Sequence, residues 1–458
     1  MQPNETTWKE RISYGLSDTA SNLIYQMIIM YLMFFYTDVY GISAAAVGTL
    51  FLVSRIIDAF DSPIFGVLID RTNSKWGKSR PWLLWLAVPF GIIGVLAFST
   101  PDFGDTGKLV YAYITYILLG ILYAGINIPI TSILPSLTSN LNERNVLVST
   151  RMILASVGVT IVSLGALPLV DFLGNGDQQR GFTLTMTVFG ILAVILLIVS
   201  FKNINEKVEM PGSDQVVPFK KAVKSMKGNV PLYILFFVSF IYTIGFIMKT
   251  QTTVYYLSYN LNKPELVGVI LGLSSLNVIS YFIMPSLAKW IGKRNIMILG
   301  LALMSVGQIG FYFSGSTTPF IIATLIGVIG QGFLMASIFS MIADVVDYGE
   351  WKSGIRAQGL VSTVPVFSFK IGMGIGGALS AWVLSFGNYV PNQIQTASAL
   401  TAIEISFIWI PLVGFILGIV ALLFYKLDKQ SEQMMIDLNA RRATAKIVES
   451  GVAEIKAQ

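Results

Sequence analysis

Along this chain, long apolar runs alternate with short polar connections. Twelve runs stand out, at about 13–36, 46–69, 81–99, 109–134, 146–170, 182–201, 232–257, 266–287, 296–314, 319–343, 360–386 and 404–425. Each approaches the ~20 residues a helix needs to cross the apolar part of a bilayer. The pattern predicts an all-α membrane protein with twelve transmembrane helices. The fourth, tenth and eleventh runs carry Gly, Pro or polar residues inside. A membrane helix tolerates these where that face meets protein or a water-filled cavity. The N-terminal MQPNETTWKERIS is polar, has no apolar h-region, and does not read as a cleaved signal peptide.

One longer polar stretch interrupts the rhythm. It covers 202–231 and holds Pro211, Pro218 and the basic run KKAVKSMK from Lys220 to Lys227. The expected organisation is therefore a six-helix half at 1–201, a central cytoplasmic loop at 202–231, a second six-helix half at 232–425 and a cytoplasmic tail at 426–458. Two six-helix halves joined by a long loop are the outline of the major facilitator fold, with its site at the midplane between the halves. Two basic, glycine-containing turns echo each other at corresponding places: DRTNSKWGKSR (Asp70 to Arg80) and KWIGKRN (Lys289 to Asn295). The tail reads as an amphipathic helix too short to be a domain.

Composition narrows the chemistry. Of 458 residues, 54% are hydrophobic and 12% charged, and there is neither His nor Cys. This excludes Cys/His metal sites, disulfides, cysteine nucleophiles and every Ser-His-Asp triad. Proton handling near neutral pH falls to carboxylates. With the N-terminus inside, Lys and Arg crowd the cytoplasmic connections, and only Lys108, Arg180 and Lys263 fall in outer loops. That is a strong positive-inside bias. The net charge of +6 then reflects topology and anionic lipid, with no nucleic-acid partner. Gly77-Lys78-Ser79 is no P-loop, because Thr72 occupies the first glycine position. Gly372, Gly374 and Gly377 match GxGxxG inside an apolar helix, where close helix packing is the expected role. The sequon Asn4-Glu5-Thr6 lies on the cytoplasmic side and is read as chance. No cofactor and no nucleotide site is expected, so an ion gradient is the expected driving force.

Ionisable residues at bilayer depth are expensive and need a partner or a task. In the second run, Arg55, Asp58 and Asp61 are spaced i, i+3, i+6 on one predicted helix face, with Ser62 beside them. Two carboxylates, a hydroxyl and a guanidinium can hold a proton or a desolvated Na⁺. The alternative is a self-neutralising Arg55–Asp58 pair that only stabilises the bundle. Asp18 and Asn22 share a face of the first run, and Tyr123 and Asn127 are i, i+4 in the fourth. Arg151 lies just inside the fifth, Lys249 in the seventh and Lys370 in the eleventh. Asn and Tyr serve here either as interhelical hydrogen bonds or as ligand contacts.

The stretches SYGLSDTASN (Ser13 to Asn22), YTDVYGIS (Tyr36 to Ser43), GTLFLVSRIIDAFDSPIFG (Gly48 to Gly66), WGKSRPW (Trp76 to Trp82) and ADVVDYGEWKSGIR (Ala343 to Arg356) resemble the glycoside–pentoside–hexuronide:cation symporters. The resemblance covers nearly the whole chain and implies sugar uptake coupled to Na⁺, H⁺ or Li⁺. It matches the family's first cation-site aspartate to Asp58. The sodium-type pattern continues with Asn and Asp, where this chain has Asp61 and Ser62. The family's threonine from the fourth span is Ala124 here. On the sugar side, two family aspartates are matched by Asn22 and Asn127, a tryptophan by Thr131, an arginine by Arg151 and a lysine by Lys370. The expectation is a symporter of the bacterial inner membrane, with both termini cytoplasmic and working as a monomer. It imports a glycoside or short oligosaccharide with H⁺ or Na⁺. Asp58, Asp61 and Ser62 would take the ion, with Arg55 as charge partner. Asn22, Tyr123, Asn127, Arg151, Lys370, Lys249 and Asp18 would line the sugar. The alternatives are a symporter of glucuronides or hexuronides, and a multi-spanning membrane transferase.

Overall fold

A computed structural model describes residues 6–58, 61–138, 140–207, 223–224, 226–428, 430–431 and 433–441. The side chains of Ser62, Pro63 and Leu141 lie outside the description. Most of the central loop, with Pro211, Pro218, Lys220 and Lys221, lies outside the described residues, as does the tail from 442. So do Asn4 and Glu5 of the sequon.

The described chain is helical, with no strand. In order the helices are α1 (Trp8–Phe34), α2 (Ala44–Asp58), α3 (Asp61–Arg71), α4 (Arg80–Ala97), α5 (Asp105–Ser132), the short α6 (Leu134–Leu137), α7 (Leu141–Gly174), α8 (Gln178–Asn203), α9 (Val230–Tyr255), α10 (Leu266–Leu273), α11 (Val278–Ile291), α12 (Lys293–Phe313), α13 (Thr317–Ser353), α14 (Gln358–Phe386), α15 (Ala397–Glu404) and α16 (Ile410–Leu423). Among the described residues, 11 helices are long and apolar enough to cross a membrane. The remaining predicted run, the second, consists of α2 and α3 on either side of residues 59 and 60. Asp58 is thus the last described residue before that gap and Asp61 the first after it.

α1 begins at a capping box, in which Thr7 accepts from the Glu10 amide and the Glu10 carboxylate accepts from the Thr7 amide. It ends in a wide π turn, Phe35–Val39. α9 ends in the same way, at Tyr256–Asn260. The hydrogen bonds that leave the two turns are equivalent: Tyr40 N to Phe35 O and Ile42 N to Tyr36 O in one, Leu261 N to Tyr256 O and Lys263 N to Leu257 O in the other. First and seventh spans thus terminate alike, as an internal repeat requires.

The basic turns repeat too. Gly77 adopts φ +104°, and the amides of Lys78, Ser79 and Arg80 donate to the Glu206 carboxylate at 2.8–3.1 Å. Arg80 then caps the end of α8 through the Phe201 carbonyl (2.6 Å). In the second half Gly292 adopts φ +81°, and the Arg294 amide donates to Asp428 at 3.0 Å. Arg294 caps the end of α16 through the Leu422 and Leu423 carbonyls. A guanidinium on exposed C-terminal carbonyls satisfies acceptors that the helix leaves unpaired. The echo in the sequence is thus a repeated structural device.

Contacts group the chain into two compact units that cut across sequence order: Met1–Gly212 with Phe246–Ser275 and Met373–Pro411, and Ser213–Gly245 with Leu276–Gly372 and Leu412–Gln458. In the second unit, residues 433–441 form a helix that buries Met434 and Leu438. It docks on the end of α13 through Trp351 Nε1 to Asp437 (2.9 Å) and Arg441 to the Trp351 carbonyl (3.0 Å).

Candidate substrate and cation site

The first compact unit gathers most of the residues singled out in the sequence. On α1, Asp18 is 6% exposed and paired with Arg151 of α7. Arg151 Nη2 lies 3.2 Å from Asp18 Oδ1 while Nε meets Oδ2. Arg151 also reaches the Tyr14 hydroxyl (3.5 Å) and Thr131 Oγ1 (3.4 Å). A planar fork meets both oxygens of one carboxylate, so the pair is geometrically specific. Gly158 lets the two helices close, since a methyl there would lie 3.0 Å from Asn22 Cβ. The Asn22 amide donates to its own helix at the Asp18 carbonyl (2.9 Å), and its oxygen accepts from Gln26 (3.1 Å).

Tyr123 stacks on Tyr25 with ring centres 4.1 Å apart and planes 7° from parallel. Tyr25 was not among the predicted residues. Its spacing from Asp18 and Asn22 along one helix was the available signal. Asn127 is half-buried one turn beyond Tyr123, on α5. Lys249 lies on α9 in this unit, and Lys370 lies half-buried on α14 in the second unit.

On α2, Arg55 Nη1 donates to Asp58 at 2.7 Å, and Nη2 reaches the Tyr116 hydroxyl on α5 at 3.3 Å. The i, i+3 spacing thus makes an ion pair inside the bundle. Gly120 backs Asp58, and a methyl there would sit 3.0 Å from Asp58 Oδ1. Asp61, on α3, is 6% exposed. Ser62 is the next residue of that helix, its side chain outside the description. The three glycines of the GxGxxG match pack closely, as expected. A methyl at Gly372 would meet Thr243, at Gly374 it would lie 2.4 Å from Arg55 Cγ, and at Gly377 it would touch Phe51 and Gln251.

A further cluster went unpredicted. The two π turns and the loop at 388–392 meet around Asp38, which is 6% exposed. Asp38 Oδ1 accepts from the hydroxyls of Tyr259 (2.6 Å) and Tyr389 (2.5 Å), and Oδ2 accepts from Thr37 (2.6 Å). Thr37 and Tyr255 share a hydroxyl hydrogen bond of 2.6 Å, and the Asn392 amide donates to the Asp38 carbonyl (2.7 Å). Burial, with Asp38 beside it, pushes the Tyr389 hydroxyl far above the ordinary tyrosine range. It therefore stays protonated and remains a donor. An acid at the end of an apolar run, among tyrosines, was the available signal.

A buried guanidinium–carboxylate pair beside a stacked aromatic pair, next to a second intramembrane pair, describes a membrane carrier for a small polar solute. The chain matches the MFS/sugar transport protein family over residues 13–429. It is 47% identical to the isoprimeverose transporter of Lactiplantibacillus pentosus, over 96% of this chain and 93% of that protein. It is 35% identical to the inner membrane symporter YicJ of Escherichia coli, over 94% of each. The fold superposes on a bacterial homologue of the lysosomal transporter Spinster with a TM-score of 0.68, covering 92% of this chain and 97% of that one, at 13% identity.

The chain belongs to the MFS/sugar transport family: it is a multi-pass membrane transporter of the major facilitator superfamily, in the sugar–cation symporter branch. It is not an enzyme, and the transferase alternative falls.

Proposed function

We propose that this transporter carries a neutral glycoside or short oligosaccharide into the cell together with H⁺ or Na⁺ by alternating access, its termini on the cytoplasmic side. Isoprimeverose, the named substrate of the 47% identical relative, is the first candidate. The observation that carries the neutral-sugar reading is the Asp18–Arg151 pair. Arg151 already has its counter-charge, so the site offers a hexuronide carboxylate no unsatisfied cation at this position. The Tyr25–Tyr123 stack supplies a flat apolar face, on which a sugar ring can lie. Asn22 and Asn127 bring amides that both donate and accept. Lys249 and Lys370 complete the set taken from the sequence.

Asp58, Asp61 and Ser62 form the cation site in this reading. Arg55 holds Asp58 at 2.7 Å, and an arriving ion competes with it. Each ligand then favours the other by the same factor. The Asp38 cluster ties elements from the two sequence halves at the helix ends remote from the basic loops. It acts as the outer closure, and alternating access requires that it break. The test is uptake of labelled isoprimeverose into vesicles under a Na⁺ gradient and then a pH gradient. Accumulation driven by one gradient, competed by neutral glycosides and not by glucuronides, is expected. Equal competition by glucuronides would overturn the neutral-sugar reading. Uptake independent of both gradients would overturn the symport.

A further inference from the structure

Beside the Arg55–Asp58 pair lies a void of about 10 Å³, lined by Arg55, Tyr116, Gln251, Met373 and Gly377, all within the first compact unit. That is the room one water or one hydroxyl group needs. Gln251 is 7% exposed, and its Oε1 has no hydrogen-bond partner among the described residues. A buried unpaired acceptor is costly and calls for a ligand or a reason. Gly377 brings α14 against this residue, so the enclosure is built by the glycine face of that helix.

The donor and acceptor pattern selects the ligand. Arg55 offers only donors. The Tyr116 hydroxyl accepts from Arg55 and has its own proton to give. Gln251 Oε1 offers only an acceptor. A hydroxyl satisfies both sides, donating to Gln251 and accepting from Arg55 or Tyr116. A carboxylate has no proton for Gln251, and an ammonium would face the Arg55 guanidinium. Met373, which lines the void, accepts from the Tyr25 hydroxyl at 3.6 Å, and Tyr25 is one half of the aromatic stack. The void therefore adjoins the proposed sugar site.

We infer that Gln251 is a specificity-determining residue whose Oε1 accepts one hydroxyl of the transported sugar in the void beside Arg55 and Tyr116. This rests on the sugar-transport reading above. The test uses the purified full-length chain in lipid nanodiscs, with isoprimeverose and its monodeoxy analogues, read by calorimetry and thermal unfolding. Gln251→Leu, of similar size but with no acceptor, is expected to bind isoprimeverose about tenfold more weakly. One monodeoxy analogue, lacking the contacting hydroxyl, is expected to bind wild type and variant equally. Without sugar the variant unfolds at the same temperature as wild type or higher, because it no longer buries an unpaired acceptor. Gln251→Glu, which keeps an acceptor, retains more affinity for isoprimeverose than Gln251→Leu. Wild-type affinity of Gln251→Leu for every sugar would assign the acceptor to water and overturn the inference. So would a uniform loss across all analogues, or a lower unfolding temperature without sugar, since either marks a structural role. If wild type binds no neutral glycoside, the transport reading itself fails, and this inference with it.

Discussion

Replacing Arg151 by Met isolates the cost of the pair on which the proposed sugar site is built. The substitution removes the guanidinium that meets both oxygens of Asp18 and leaves a carboxylate whose residue is only 6% exposed. Removing one partner of a fully buried pair costs about 3–5 kcal/mol, because the other charge stays desolvated and alone. The Arg151 side chain is 20% exposed and that of Asp18 is 9% exposed. Water reaches the pair from one side, so about 2–4 kcal/mol is the better expectation. At about 2 °C per kcal/mol for a large chain, the unfolding midpoint should fall by about 4–8 °C. The assay is thermal unfolding in nanodiscs, run beside equilibrium binding of isoprimeverose. The decisive comparison is the double variant Asp18→Asn, Arg151→Met, which buries no unpaired charge. It should recover stability to within about 1 kcal/mol of wild type. It should still bind sugar poorly, because the proposed site loses the donors assigned to Arg151. A wild-type midpoint for Arg151→Met would refute the argument, since it would mean that Asp18 is neither desolvated nor dependent on its partner. Full sugar affinity in the double variant would remove Arg151 from the site.

Tyr259→Phe and Tyr389→Phe each delete one hydroxyl donor to Asp38 and should each shift the balance toward the outward-open form by about 0.5–1.5 kcal/mol. The chain has no native cysteine, so the labelling rate of a single cysteine placed near residue 392 reports that opening directly; unchanged rates would remove the cluster from gating. Asp58→Asn should abolish the dependence of sugar affinity on the coupling ion while leaving a folded protein, because Arg55 keeps the Tyr116 hydroxyl as a partner; persistent ion dependence would move the cation site elsewhere. Arg80→Ala and Arg294→Ala remove equivalent caps and should each lower stability by about 1–3 kcal/mol, with a wide disparity between them arguing against equivalent roles.

The fold was legible because lipid leaves little freedom. Apolar run length follows from the need to satisfy every backbone group inside the bilayer, and the long apolar helices and the two basic turns both appear among the described residues. The second run is described on either side of residues 59 and 60, as α2 and α3. The intramembrane pairs were half legible. Arg55 and Asp58 share a helix, so i, i+3 spacing was enough to join them. Asp18 and Arg151 lie on different helices 133 positions apart, and their pairing depends on how α1 meets α7 at Gly158. The Asp38 cluster was marked only by an acid among tyrosines, and its partners were hidden for the same reason. Besides the neighbouring Thr37, its donors come from the π turn after α9 and from the loop after α14, and tyrosines in apolar runs look like core. Gln251 is the extreme case, since a single amide in an apolar helix says nothing until its neighbours and its missing partner are seen.

In the proposed reading, ion and sugar need no long pathway between them. Arg55 touches Asp58 at 2.7 Å and the Tyr116 hydroxyl at 3.3 Å, and it lines the void that Gln251 faces. One guanidinium would then be shared between the proposed cation carboxylate and the proposed hydroxyl pocket. On that proposal, a proton or Na⁺ at Asp58 would weaken its hold on Arg55 and free donors for a sugar hydroxyl. A hydroxyl that engaged Arg55 would in turn draw it from Asp58 and make the carboxylate a better ion ligand. The two effects are one free energy read from two sides, so they must be equal. Coupling carried by one side chain with two alternative partners has the discrete, two-state character that a physical account of communication between sites demands.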